Sequence, residues 1–170
     1  MIDSRRPRAA LALARAAALC ASLLAVGCGG AQLPRCGTSE AIALHVHSAA
    51  HLNPDRAGLP RSVVVRVYQL GDARTFSSSS FERLWTGAAG GLPTPEQLTA
   101  LPGRNQDHSL PRDPAAQYLA IAANFREREG DSGWRALVRL PTAQNACERW
   151  VSGHPAPIEL VLADYSLYLR

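Results

Sequence analysis

The chain of 170 residues contains no lysine; all 18 of its basic residues are arginines, set against 14 acidic ones. This preference, together with abundant alanine, reflects base composition more than mechanism. There is no C-x-x-C pair, which excludes the usual thiol-redox and zinc signatures. There is no G-x-S-x-G, no Walker loop and no H-E-x-x-H, so the common hydrolase, nucleotide-binding and zinc-protease signatures are missing. Serines cluster at Ser77–Ser80, but nothing places a His–carboxylate pair beside them. Glu127, Glu129 and Asp131 alternate with Arg126 and Arg128; in a hairpin turn such a run is a solvated surface, not a glycosidase carboxylate pair. Internal repeats and long amphipathic helices are also absent.

No apolar run is long enough to span a bilayer. The nearest is Ala16–Val26, preceded by Arg5, Arg6, Arg8 and Arg15. A positive start followed by a short apolar stretch reads as a secretory signal. The arginine pair hints at a twin-arginine signal, but the apolar residues expected just after it are missing, which favours ordinary secretion. The stretch ends Leu-Leu-Ala-Val-Gly-Cys at Leu23–Cys28. This resembles a bacterial lipobox, in which a small residue precedes the Cys that is acylated and becomes the new N-terminus. The alternative is a plain secretory signal cleaved near Ala25 or Gly27. Acyl chains, palmitate among them, anchor at ~0.8 kcal/mol per buried CH₂. Gly29 rather than Asp after the Cys favours the outer membrane. The expected organisation is a signal peptide over 1–27, a lipidated tether over 28–39 and one domain over 40–170, large enough to bury a core. Removing the signal takes the net charge from +4 to near neutral, which leaves no case for nucleic-acid binding.

Of the four cysteines, Cys20 leaves with the signal and Cys28 carries lipid. Cys36 and Cys147 remain. A lone pair in an oxidising compartment invites a disulfide, the alternative being two buried free thiols.

The strongest strand is Ser62–Leu70. Val63, Val65 and Val67 point to one face; Val64, Arg66, Tyr68 and Leu70 point to the other. One wholly apolar face lines a core. The segment before it, Ala49–Arg61, is read as a rigid, polar, exposed loop: Pro54 and Pro60 fix φ, Asn53 and Asp55 suit turns, and Gly58 permits positive φ. A strand that anchors a shaped loop is a common way to build a binding site. Upstream, Ala41–Ser48 alternates as a half-buried strand. Its His45 and His47 share a face, and His51 is near, but no further ligand completes a metal set. They read as histidines on a solvent face.

Downstream, Gly71–Ser80 reads as loop. Ser79 and Glu82 stand at capping-box spacing before a short helix that carries Phe81, Leu84 and Trp85. Thr94–Gln97 repeats a capping signal, but Gln97–Leu101 is preferred as a strand, with Pro102-Gly103 turning into Asn105–Leu110. Gln117–Arg126 and Trp134–Leu140 form a hairpin across Gly130–Gly133. Pro141–Pro157 is a long polar loop, followed by strands at Ile158–Leu162 and Ser166–Leu169. About eight strands with one or two short helices predict an all-β, two-sheet antiparallel β-sandwich.

Asn-Pro-Asp at 53–55 and the run Ser-Val-Val-Val-Arg-Val-Tyr-Gln-Leu at 62–70 resemble the TssJ (SciN, VasD) family of type VI secretion lipoproteins. Phe76 and Phe81–Trp85, Leu98–Gly103, and Tyr118–Arg126 followed by Trp134-Arg135 are similar to further family segments, in the same order. Ser80 replaces a more usual acidic residue, and Asn124 a small one. The resemblance implies a transthyretin-like sandwich, acylated at Cys28 and held at the periplasmic face of the Gram-negative outer membrane. It implies docking to the periplasmic C-terminal region of the inner-membrane protein TssM. The implied contact loop offers Leu52 and Leu59 as apolar anchors, with Asn53, Pro54, Asp55, Arg56, Gly58 and Arg61 around them. It implies no catalysis, cofactor, metal or small-molecule substrate. The competing readings are a ligand-binding lipoprotein of unrelated role and a secreted metalloenzyme using His45, His47 and His51.

Intact mass of the protein extracted from membranes tests both cysteine expectations. The expected product starts at an acylated Cys28 and lacks two hydrogens until reduced, for a Cys36–Cys147 bridge. That bridge is worth at most about 4–5 kcal/mol in the chain-entropy picture. Cys28→Ser should yield a soluble or uncleaved form. Absence of acyl mass, or two free thiols, would refute the respective expectation.

Overall fold

The computed structural model describes residues 41–128, 133–141 and 156–170. Cys28, Cys36 and Cys147, the lipobox and the tether lie outside the described residues. The elements in order are β1 (Ala41–Ser48), β2 (Val63–Leu70), α1 (Arg74–Ser78), α2 (Phe81–Thr86), β3 (Glu96–Ala100), β4 (Asn105–Pro111), β5 (Tyr118–Ala123), β6 (Arg135–Arg139), β7 (Ile158–Ala163) and β8 (Ser166–Leu169). They form two four-stranded sheets, ordered β4-β1-β7-β8 and β3-β2-β5-β6.

Alternation in β2 sets the register of the second sheet. Val65 faces Ala123 and Val67 faces Ile121 across the β2–β5 ladder, and side chains directly opposite share a face. Val63, Val65, Val67, Leu119 and Ile121 are thereby buried together. They meet Ile42, Leu44 and Val46 of β1 and Leu160 and Leu162 of β7 from the other sheet, all in one core cluster. Each such aliphatic side chain contributes about 1.5–3 kcal/mol by leaving water. Gln69 helps tie the sheets at one end: Nε2 donates to the Pro111 carbonyl at 2.7 Å, and Oε1 accepts from the Asp113 amide at 2.8 Å.

The other face of β2 is covered too. Tyr68 and Leu70 are buried, as are Ala120 and Ala122 of β5. The cover is the helical segment. Tyr68 packs on Phe76 of α1 with ring centroids 5.7 Å apart. Arg66 lies 4.2 Å over the Trp85 ring and donates to the carbonyls of Leu84 and Trp85, satisfying acceptors that the end of α2 leaves free. Gly87, at φ 76°, closes that helix in the left-handed region, where a side chain would be strained.

Three expectations change in detail. Gly71–Ser80 is not all loop, because α1 occupies its middle; Phe76 anchors it, 1% exposed. The cap of α2 is Ser80, whose side chain accepts from the Arg83 amide. Ser79 instead donates its hydroxyl to the Thr75 carbonyl. Pairing is antiparallel throughout except for β1 with β7, which run parallel. Since β1 already pairs with β4 on one side, its other edge takes a strand that arrives after the chain has crossed the second sheet.

On the outer face of the first sheet, His45 and His47 stand beside Glu159 of β7. Glu159 accepts from His47 Nε2 and lies 3.2 Å from His45 Nδ1. The histidines thus pair with a carboxylate that is distant in sequence. Among the described residues no group of three or more His, Cys, Asp or Glu side chains is arranged to hold a metal. The His47 hydrogen bond, above all, holds the Glu159 carboxyl below its ordinary 4.5. A carboxyl lowered in the folded state stabilises the fold above its unfolded range and loses that contribution as pH falls through the lowered value. Wild type should therefore exceed Glu159→Gln in thermal midpoint at pH above 4.5, and the gap should close in stronger acid. A gap unchanged from about pH 6 to about pH 2 would refute the pairing.

Candidate functional site

Between β1 and β2 the backbone leaves the sandwich and returns over Ala49–Ser62. Local and long-range bonds define its shape. The Asn53 amide donates to Asp164 O at 2.7 Å, and the Arg61 amide to Leu52 O at 2.9 Å. The Tyr165 hydroxyl donates to Pro54 O at 2.9 Å. Burial raises the Tyr165 pKa, keeping that hydroxyl a donor.

Asp55 organises the tip. Its Oδ1 accepts from the amides of Ala57 at 2.9 Å and Leu59 at 3.0 Å. Its Oδ2 accepts from the Arg61 guanidinium through Nε at 2.9 Å and Nη2 at 2.6 Å. This is an Asx-type turn closed by a two-pronged ion pair. The Arg61 bond is the largest cause that lowers the Asp55 pKa below its ordinary 3.8. Gly58, at φ 76°, supplies the turn beyond it, and its amide returns to Asp55 O at 2.8 Å.

The residues expected at the contact loop divide into two groups. Leu52 is fully buried and Asn53 is 3% exposed. Neither offers surface to a partner, which corrects the sequence reading. Leu52 joins the core cluster. Asn53 sits at φ 48°, which Asn tolerates better than most residues. Its Nδ2 donates to Ser62 O at 3.2 Å, and its Oδ1 accepts from the Arg126 amide at 2.8 Å. It thereby ties both ends of the loop to the end of β5. Pro54 and Asp55 are half-buried; Arg56, Gly58, Leu59 and Arg61 are exposed. Leu59 is 55% exposed, the largest fraction among the exposed large apolar residues described. Sequence reasoning missed Tyr165, whose hydroxyl is bonded to a residue 111 positions away; no local pattern signals it.

The described site is thus a hydrogen-bonded loop on a two-sheet sandwich, with an Asp55–Arg61 ion pair and an exposed Leu59. The chain belongs to the type VI secretion lipoprotein family: the family model described as "Type VI secretion lipoprotein, VasD, EvfM, TssJ" matches residues 40–164. No curated protein matches the chain. Among solved structures it is 27% identical to a chain of "T6SS protein TssM C-terminal domain (869-1107) from EAEC", covering 76% of this chain and 97% of that one at a TM-score of 0.63. It is 19% identical to TssJ1 of Pseudomonas aeruginosa, covering 76% and 94%, TM-score 0.63. It is 18% identical to Serratia marcescens Lip, a membrane-bound component of the type VI secretion system, covering 76% and 96%, TM-score 0.66. These last two likenesses establish the shared fold.

Asn53→Ala should cost about 2–4 kcal/mol, from two lost hydrogen bonds and a side chain forced to positive φ. Asn53→Asp keeps the acceptor for the Arg126 amide but turns a buried carboxylate oxygen onto the Ser62 carbonyl, and should cost about 2–3 kcal/mol. Urea denaturation measures both; an Asn53→Ala protein as stable as wild type would show that the tie contributes nothing.

Proposed function

We propose that this type VI secretion lipoprotein is anchored through acyl chains on Cys28 at the periplasmic face of the outer membrane. There it docks the periplasmic C-terminal region of TssM and performs no catalysis. The observation that carries the docking surface is the pre-shaped tip at Pro54–Arg61. Asp55 already holds the backbone in one geometry, so little ordering entropy remains to be lost on association. Leu59 projects as an apolar anchor, with Arg56 beside it and the Asp55–Arg61 pair behind. Family membership supports the role, and likeness to a chain from a TssM C-terminal-domain structure supports the partner. Leu52 and Asn53 shape this surface from beneath.

The test is binding of the full-length protein in detergent to the TssM C-terminal domain. Arg56→Ala with Leu59→Ala removes side chains that make no hydrogen bond among the described residues, so the thermal transition should stay at the wild-type value. Affinity should fall about tenfold or more if these are interface anchors. Unchanged affinity would move the interface off this loop.

A further inference from the structure

Beside the loop, where the Arg126 amide meets Asn53, lies a groove of about 600 Å³ between the α1–α2 junction and the adjoining ends of β5 and β6. Phe81 and Trp134 form its floor, edge to face with centroids 5.2 Å apart. Arg126, Arg128 and Arg135 line it, and Glu82 is the one carboxylate among the described lining residues. Arg135 donates to the Ser79 carbonyl at 2.9 Å, and its Cζ stands 5.0 Å from the Trp134 ring. A carbonyl fixes the guanidinium without cancelling its charge. Arg128 lies 3.8 Å over the Phe81 ring, with a longer 3.5 Å pairing to Glu82. The Arg126 side chain is exposed and has no ion pair among the described residues. The described lining thus carries three guanidinium groups against one carboxylate, with two of those guanidinium groups held on aromatic rings.

We propose that this groove receives an acidic, extended segment of the same partner that contacts the Pro54–Arg61 tip. This rests on the docking reading above and adds the chemistry of a second contact. Charge complementarity selects Asp and Glu on the incoming segment: guanidinium groups bind carboxylates in a two-pronged geometry. The aromatic floor accepts an apolar side chain between them. Continuity selects the same partner, since Arg126, whose amide anchors the loop, also lines the groove with a side chain that has no ion pair among the described residues. Attraction of this kind speeds encounter and weakens as salt screens it, whereas the apolar Leu59 contact is far less salt-dependent.

Binding of full-length protein in detergent is measured against the TssM C-terminal domain and against a short synthetic peptide rich in Asp and Glu with one Phe, each at low and high NaCl. Arg126→Glu with Arg128→Glu should weaken TssM binding about tenfold or more and flatten its salt dependence. The loop variant should weaken binding and leave the salt dependence intact. Arg126→Gln, which disturbs no described hydrogen bond of that side chain, should give a smaller loss in the same direction and guards against misfolding of the double variant. If both groove variants keep wild-type affinity and salt dependence while the loop variant does not, the groove proposal falls and the docking reading stands. If wild type fails to bind the TssM domain, the docking reading falls and the peptide decides the groove. Peptide binding that is lost in the variants upholds an acidic-segment site; no peptide binding overturns it. Binding to anionic-lipid vesicles in place of the peptide overturns it as well.

Discussion

The β2–β5 pair buries apolar side chains on both faces, and the remainder of the domain is arranged to cover them. Its inner side chains, Val65, Val67, Leu119 and Ile121, require the opposing sheet. Its outer ones, Tyr68, Ala120 and Ala122, require something on a surface that an antiparallel sheet commonly leaves to water. The two short helices meet that need. Helices of five and six residues are too short to stand alone in water, so burial of Phe76 and Leu84 supports them. The alanines of β5 are part of the same solution: their small side chains leave room for the helices to approach the sheet.

Arginine then takes up the polar tasks that such close packing creates. Arg66 answers carbonyls at the end of α2, Arg135 answers those at the α1–α2 junction, and Arg112 reaches the Pro141 carbonyl. A planar guanidinium donates in several directions and stacks on aromatic rings at once, which an ammonium group cannot match. A sequence in which every cation is an arginine is well supplied for this work.

Much of this was legible in the chain. The alternation over Ser62–Leu70 and over Ala41–Ser48 predicted strands whose observed limits differ by at most one residue. The turn chemistry of Pro102-Gly103 placed β3 and β4. What was illegible depends on distance along the chain. Arg74–Ser78 carries serines and no periodicity, and it is helical because Phe76 finds Tyr68. Asn53 looked like an exposed turn residue, yet it is buried because its side chain reaches an amide 73 positions away. Of the expected contact loop, the part from Asp55 to Arg61 takes its shape from neighbours within six residues, chiefly Asp55, and Arg56, Gly58, Leu59 and Arg61 remain exposed.

The parallel pairing of β1 with β7 governs the order in which the domain can be completed. The second sheet draws its four strands from within Val63 to Arg139, a span that also lends β4 to the first sheet. The first sheet holds its opening strand beside one that begins only at Ile158. A chain that is synthesised or threaded through a translocon from its N-terminus therefore exposes every strand of one sheet before the other can close. Until β7 arrives, one edge of β1 carries unpaired backbone groups next to an apolar face, the arrangement most prone to mispairing. Non-local closure of this kind is slow. The last tenth of the polypeptide is thus what completes the sandwich, and truncations there would act on the yield of folded protein before they act on any interface.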